Sequence, residues 1–94
     1  MEGVGTVELK KIKLNLPEGG LKLAYGGVLK EVEVAYEECG APLTDSNAIY
    51  ICHALTGDAH VAGVRPGETE PSGWWEGMVG PGRAIDTNRF HVIC

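Results

Sequence analysis

The sequence has no long hydrophobic segment and no strong basic cluster, and each absence excludes a class of protein. No apolar run approaches the roughly 18 residues that a membrane-spanning helix requires, and the polar start at residues 1–3 is not typical of a signal peptide. The largest basic group is Lys10, Lys11 and Lys13, in a chain whose formal net charge is -5. We therefore expect neither a membrane nor a nucleic acid as a partner, and we expect a cytoplasmic protein.

Paired cysteines are also lacking. The three cysteines, Cys39, Cys52 and Cys94, are odd in number and form no C-x-x-C motif, which argues against a disulfide framework or a zinc knuckle. Cys52 and Cys94 lie in apolar runs. Because free cysteine is among the most buried residue types, we expect both to pack in the core.

A metal site would have to come from His53, Asp58 and His60, with Cys52 as a further ligand. These residue types bind zinc, but their spacing matches no established zinc pattern. Cys52 and His53 would also point to opposite sides of a strand. We expect no bound metal, and we interpret the polar residues as hydrogen-bonding groups that brace a loop.

The composition that is present is that of a small globular protein, with 94 residues of which 44% are hydrophobic and 22% charged. Residues 6–16 alternate in two phases, which favours a β-bulge near Lys10-Lys11. Residues 21–36 alternate around Gly26-Gly27, a two-residue hairpin signal. We expect an antiparallel sheet with one solvated face, followed by a loop over residues 37–47.

The period then changes. Ala48–Cys52 and Phe90–Cys94 are apolar runs without polar alternation, which is typical of parallel strands buried on both faces. The residues between them are numerous enough for a crossover, although they show little helical periodicity. The first run leads into His53–His60, a polar loop with one glycine, and open α/β sheets bind ligands at the carboxyl ends of their strands. The chain stops inside the second run, so we expect it to be a fragment.

The amino-acid sequence of this region is more informative than its hydrophobic pattern. The loop reads CHALTGDAHVAG and is followed by Gly73-Trp74-Trp75 and by GPGRAIDTNRFHVIC. Together these stretches resemble the N-terminal part of homoserine O-acetyltransferases, which are acyltransferases of the α/β-hydrolase fold, and the resemblance runs from about Leu21 to Cys94. It implies an α/β fold that is the incomplete N-terminal part of one α/β-hydrolase domain. Antiparallel strands (1–47) would lead into the first parallel β-crossover-β unit with the oxyanion-hole loop (48–94).

For the full-length protein, the resemblance implies transfer of an acetyl group from acetyl-CoA, a co-substrate, to the hydroxyl of L-homoserine in methionine biosynthesis. The reaction would pass through a serine acyl-enzyme in a homodimer without a bound cofactor. Within this segment it implies one catalytic group, the backbone N–H of Leu55, as a donor to the oxyanion. Ala54, Thr56 and Gly57 of the same loop would line the substrate.

No member of a catalytic triad is expected in these residues. Neither Ser46 nor Ser72 lies in a G-x-S-x-G elbow after a strand. By resemblance, the serine, the acid and the histidine all lie downstream. His53, His60 and His91 are therefore poor candidates for the catalytic base, and the segment alone is expected to be inactive.

Other interpretations stay open. The acyl group could be succinyl, with homoserine or serine as acceptor, and the same scaffold suits other α/β-hydrolases. A small non-enzymatic interaction domain is the alternative outside enzymes; it should show helices over both faces of its sheet, and the sequence favours none.

The stretch Gly77–Gly82 lacks the Lys-Ser/Thr of a phosphate loop, so we interpret it as a turn. We expect Arg83 to pair with Asp86 at the surface. Trp74 and Trp75 cannot face one direction on a regular element, so one should pack on the sheet and the other lie nearer the cleft.

Overall fold

The computed structural model describes residues 3–94, and within that range it contains short β-strands and no helix. The strands are β1 (Lys10–Lys13), β2 (Leu21–Lys22), β3 (Val28–Leu29), β4 (Glu33–Tyr36), β5 (Glu38–Gly40), β6 (Ala48–Tyr50), β7 (Val79–Gly80), β8 (Ile85–Asp86) and β9 (His91–Ile93). The described range accordingly holds no helix long and apolar enough to cross a membrane. The first two residues of the polar start lie outside that range.

The central sheet has the order β5-β9-β6, with β9 parallel to β6 and antiparallel to β5. Val92 is at its centre, opposite Cys39 on one side and Ile49 on the other, and it is fully buried. The predicted parallel pair is therefore present. The prediction of a loop over residues 37–47 is wrong for its first part, because β5 pairs with a strand more than fifty residues away along the chain. Such a partner decides strand formation more strongly than local propensity does.

The burial predicted for β6 and the residues after it is only half correct. Ile51 is buried, but Tyr50 is 72% exposed and Cys52 is also exposed. β6 is an edge strand of the sheet, and among the described residues no layer covers its outer face. Cys94, by contrast, packs in the core as expected.

The N-terminal half forms two antiparallel pairs, β1 with β4 and β2 with β3. The β1–β4 register is unbroken from Lys10 to Lys13, so the predicted bulge is absent there. The phase change has another cause: Thr6 pairs in parallel with Val64 of the crossover, before β1 begins. The apolar side chains of the β1–β4 pair are partly exposed, Ile12 by 50% and its cross-strand partner Val34 by 36%.

The β2–β3 hairpin turns two residues earlier than predicted. Gly26 donates its N–H to the carbonyl of Leu23 (3.1 Å), and Leu23 donates to the carbonyl of Gly27 (2.7 Å). Gly26 has a φ of +98°, which suits the last position of a three-residue turn. The first glycine of the pair therefore closes the turn instead of opening it.

The crossover packs against the central sheet through a small apolar core. Val61 and Ala62 from its first part and Val79 from β7 join Ile51 and Val92 in that core. β7 and β8 pair in parallel through a tight connection, and residues 74–78 form turns. The crossover is thus packed on the central sheet through both its first part and β7.

Candidate active site

The segment after β6 begins with an exposed turn, which we call the tip (Ala54–Gly57). The carbonyl of Ala54 closes it by accepting the N–H of Gly57 at 2.8 Å. The same carbonyl lies 2.7 Å from Nδ1 of His53, which in the matching tautomer donates to it. The N–H of Leu55 has no hydrogen-bond partner among residues 3–94. The tip therefore presents a backbone donor outside any ladder.

Asp58 begins the second part of the loop, which we call the base (Asp58–Ala62). Its Oδ1 accepts the N–H of His60 at 2.9 Å, and its Oδ2 accepts from the Arg65 guanidinium at 2.8 Å. These two bonds, the backbone one foremost, hold the pKa of Asp58 below its ordinary value of 3.8. Its carbonyl accepts from Nε1 of Trp74 at 2.9 Å. One residue thus ties the base to two points of the crossover.

The tryptophan segment lies directly along the base. The N–H of Trp74 donates to the carbonyl of His60 at 3.0 Å, and that of Trp75 donates to the carbonyl of Val61 at 2.8 Å. A Cβ at Gly73 would overlap the backbone of Ala62, so only glycine permits this approach. The two indoles stack on each other with centroids 5.5 Å apart, which the prediction of one on the sheet and one near the cleft did not foresee.

His60 links the base to the central sheet. Its Nδ1 lies 2.8 Å from Oε1 of Glu37, and its Nε2 lies 3.0 Å from Oγ of Ser72. His60 is 2% and Glu37 5% exposed, whereas Ser72 is at the surface. Glu37 is itself fixed, because its backbone exchanges hydrogen bonds of 3.1 and 3.0 Å with Cys94. The imidazole therefore connects a sheet-anchored carboxyl group to a hydroxyl of the crossover.

A surface cavity of about 340 Å³ lies where the tip, the base and the crossover meet. Its lining is polar in character and consists of Thr56, Gly57, Asp58, His60, Arg65, Glu68, Ser72 and Trp74. A more apolar cavity of about 430 Å³ is lined in part by Asp58 and Glu37. The loop therefore borders spaces of a size that admits small molecules.

The residues predicted from the loop sequence are together in the structure, and they divide into two groups. Thr56 and Gly57 line the 340 Å³ cavity. Ala54 and Leu55 are exposed, and the side chain of Leu55 is fully so. Whether these residues bind substrate stays a prediction, as does the division of the chain at residue 47.

The hydrogen-bonded group Glu37–His60–Ser72 was missed as a unit. Its members are separated by 23 and 12 residues along the chain, and no local pattern of the sequence marks such spacings. His60 was expected only to brace the loop, and Ser72 was considered only as a nucleophile. In the part of the chain that the structure describes, no group of three or more His, Cys, Asp or Glu residues is arranged to hold a metal ion.

Arg83 pairs with Glu76 at 2.8 Å, so the prediction that it pairs with Asp86 is wrong. Asp86 instead accepts the N–H groups of Gly82 and Asn88. Burial opposes the ionisation of Glu76, but hydrogen bonds from the Gly63 N–H and Arg83 outweigh it and lower the pKa of Glu76. This ion pair therefore braces the far side of the base, where Glu76 Oε1 accepts from Gly63 at 2.7 Å.

Comparison with known proteins gives consistent results. No protein-family model matches the chain. The chain is 50% identical over 92 residues to a homoserine O-succinyltransferase of Nocardioides sp., covering 96% of this chain and 24% of the relative. It is 51% identical over 92 residues to a homoserine O-acetyltransferase of Methanobrevibacter ruminantium, covering 97% of this chain and 18% of the relative. The chain spans about a quarter or less of the length of these relatives.

Solved structures agree with the sequence relatives. A homoserine O-acetyltransferase from Bacillus anthracis superposes with a TM-score of 0.79 at 38% identity, over 95% of this chain and 23% of that protein. An esterase superposes with a TM-score of 0.70 at 38% identity, over 90% of this chain and 23% of that protein. The predicted resemblance to homoserine O-acetyltransferases and the predicted fold class, part of an α/β-hydrolase fold, are both confirmed.

Proposed function

We propose that this chain, as a homologue of part of the homoserine O-acyltransferases, supplies the oxyanion-binding loop of an enzyme that transfers an acetyl group from acetyl-CoA to the hydroxyl of L-homoserine. A serine of the longer protein would attack the thioester carbonyl and release CoA. The hydroxyl of homoserine would then attack the resulting acyl-serine. In each step the carbonyl oxygen gains negative charge, and the N–H of Leu55 would donate to it.

The observation that carries this proposal is the free N–H at the tip of a loop that follows a strand of the central sheet. A donor already bonded within a ladder would be unable to reach a reacting oxygen, and Leu55 has no such bond among the described residues. Residues 59–62 of the base beneath the tip are buried, and hydrogen bonds tie the base to the sheet and to the crossover, which supports a fixed direction for the donor. Preorganised donors contribute most when they need no rearrangement during the reaction.

The family resemblance adds further elements to the proposal. Acetyl-CoA would act as a co-substrate with no other cofactor, the enzyme would work as a homodimer in the cytoplasm, and its product would serve methionine biosynthesis. Thr56 and Gly57, which line the 340 Å³ cavity, would contact substrate together with Ala54.

A second candidate is transfer of a succinyl group, because a relative with 50% identity over 92 residues is named a homoserine O-succinyltransferase. The two candidates share the loop and differ in the acyl donor. Incubating the full-length protein with L-homoserine and either acetyl-CoA or succinyl-CoA, and measuring the release of free CoA thiol, distinguishes them. Release with neither donor would contradict the proposed function.

The role of Leu55 is tested by removing its N–H. Leu55→Pro removes the donor, and we expect kcat to fall about 10²- to 10³-fold, the range for loss of one oxyanion donor. Leu55→Ala is the matched control, because it shortens the side chain and keeps the N–H. Circular dichroism of both variants checks that the fold is retained. A folded Leu55→Pro enzyme with the kcat of the Leu55→Ala enzyme would refute the role.

A further inference from the structure

The loop after β6 combines an exposed tip with a base that is buried over residues 59–62. Ala54–Gly57 is exposed throughout, whereas His60 is 2%, Val61 3% and Ala62 2% exposed. A donor on an exposed turn keeps a constant direction only if the residues at the end of that turn are fixed. The fixing groups are therefore relevant to any chemistry at the tip.

The Glu37–His60–Ser72 group fixes the base from two independent parts of the fold. Glu37 belongs to the central sheet through its backbone bonds with Cys94. Ser72 belongs to the crossover, where its N–H donates to the carbonyl of Gly63 at 3.1 Å. The imidazole of His60 lies between them, and a loop residue held from both sides cannot rotate without breaking one of the bonds.

The hydrogen-bond directions follow from the donors available. A carboxylate of Glu37 can only accept, so Nδ1 of His60 carries the hydrogen that it donates at 2.8 Å. In a neutral imidazole, Nε2 is then an acceptor, and the hydroxyl of Ser72 donates to it at 3.0 Å. The tautomer here is assigned from this network. The chain of bonds runs from the surface hydroxyl to the buried carboxylate in one direction.

We propose that Glu37, His60 and Ser72 form a positioning relay that sets the orientation of the Leu55 amide, so that Ser72 affects acyl transfer without contacting the reacting atoms. This inference rests on the proposed function. The hydroxyl, imidazole and carboxyl group follow the order of a serine triad. The inference nevertheless differs from a role for Ser72 as a nucleophile, because Ser72 lies in no G-x-S-x-G elbow and the backbone around it is docked on the base through Gly73.

The experiment uses Ser72, because this member of the relay is at the surface and its loss should not unfold the protein. In the full-length enzyme we expect Ser72→Ala to lower kcat by about 10- to 100-fold, the size of effect that a small misplacement of a catalytic group produces. The KM values for both substrates should be unchanged, and the thermal midpoint should shift by only a few degrees, because a single hydrogen bond is lost. Ser72→Thr keeps a hydroxyl and should restore most of kcat.

Ser46→Ala is the matched control, since Ser46 is another exposed loop serine and its side chain takes no part in the relay. It should leave kcat unchanged. A Ser72→Ala enzyme with wild-type kcat, or one whose loss is not restored by threonine, would overturn the inference. Covalent labelling of Ser72 by a serine-directed organophosphate would also overturn it. If the wild-type enzyme transfers no acyl group at all, the proposed function fails instead, so the two failures are distinguishable.

Discussion

The buried pair of Glu37 and His60 makes a strong prediction about stability. The two side chains are 6% and 2% exposed, and they meet at 2.8 Å. Among the described residues, His60 is the hydrogen-bond partner of the Glu37 carboxyl group. His60→Ala would leave that group buried without a hydrogen-bond partner, which costs about 1–3 kcal/mol.

The pair is tested by a double-mutant cycle in urea denaturation, with the slope of the transition monitored for constancy. Replacing both residues by apolar ones, Glu37→Met with His60→Leu, removes the unsatisfied group together with its partner. We expect the double variant to lose less free energy of unfolding than the sum of the single variants, by about 0.5–3 kcal/mol. Additive losses would refute the reasoning, because they would mean that the two groups do not compensate each other's burial.

The chain contains a matched control for this cycle. Glu38 and His91 form a second carboxyl–imidazole pair at 2.7 Å, with side chains 27% and 13% exposed, and Glu38 also pairs with Lys10 at 2.6 Å. Water reaches this pair more easily, and exposed pairs contribute about 0–1 kcal/mol. The same cycle at Glu38 and His91 should therefore give a smaller coupling energy than at Glu37 and His60.

Three further outcomes follow from the geometry. The pKa of Asp58 is lowered, mainly by the hydrogen bond that it accepts from the His60 backbone N–H. The stabilising effect of its charged form is therefore present at neutral pH and is lost as the pH falls below 3.8. In urea denaturation at a series of pH values, Asp58→Asn should reduce the loss of unfolding free energy at acidic pH. Burial raises the pKa of Cys39 to about 11, so at pH 8 iodoacetamide should modify the exposed Cys52 and leave Cys39 unmodified, as peptide mass mapping would show. Gly73→Ala should lower the thermal midpoint by several degrees, because its Cβ would overlap the Ala62 backbone; an unchanged midpoint would contradict the need for glycine.

The central parallel pair was predictable because its signal is local. The runs at Ala48–Cys52 and Phe90–Cys94 are apolar without alternation, a composition typical of parallel strands, although only the second run lies at the centre of the sheet among the described residues. Their pairing then needed only a crossover of sufficient length. The loop between them was predictable from its amino-acid sequence, since turn residues and glycine are also local features.

The β5 strand and the hairpin turn were not predictable in this way. β5 exists because β9 offers it a free edge, and nothing in Glu38–Gly40 itself is typical of a strand. At the hairpin, Gly26-Gly27 matches the sequence preference of a two-residue turn, but a three-residue turn with Gly26 in the last position uses the same glycines. Local composition permits both, and the register of β2 with β3 selects one.

The candidate site shows the same division within one loop. The tip depends on local contacts, because the hydrogen bond between Ala54 and Gly57 closes a turn of four consecutive residues. The base is long-range, because Glu37 and Ser72 reach His60 from opposite directions along the chain. If acyl transfer depends on the direction of the Leu55 amide, then sequence motifs identify the donor while the residues that aim it emerge only in three dimensions. Substitutions outside the motif should therefore also lower kcat, although by less than the loss of the donor itself.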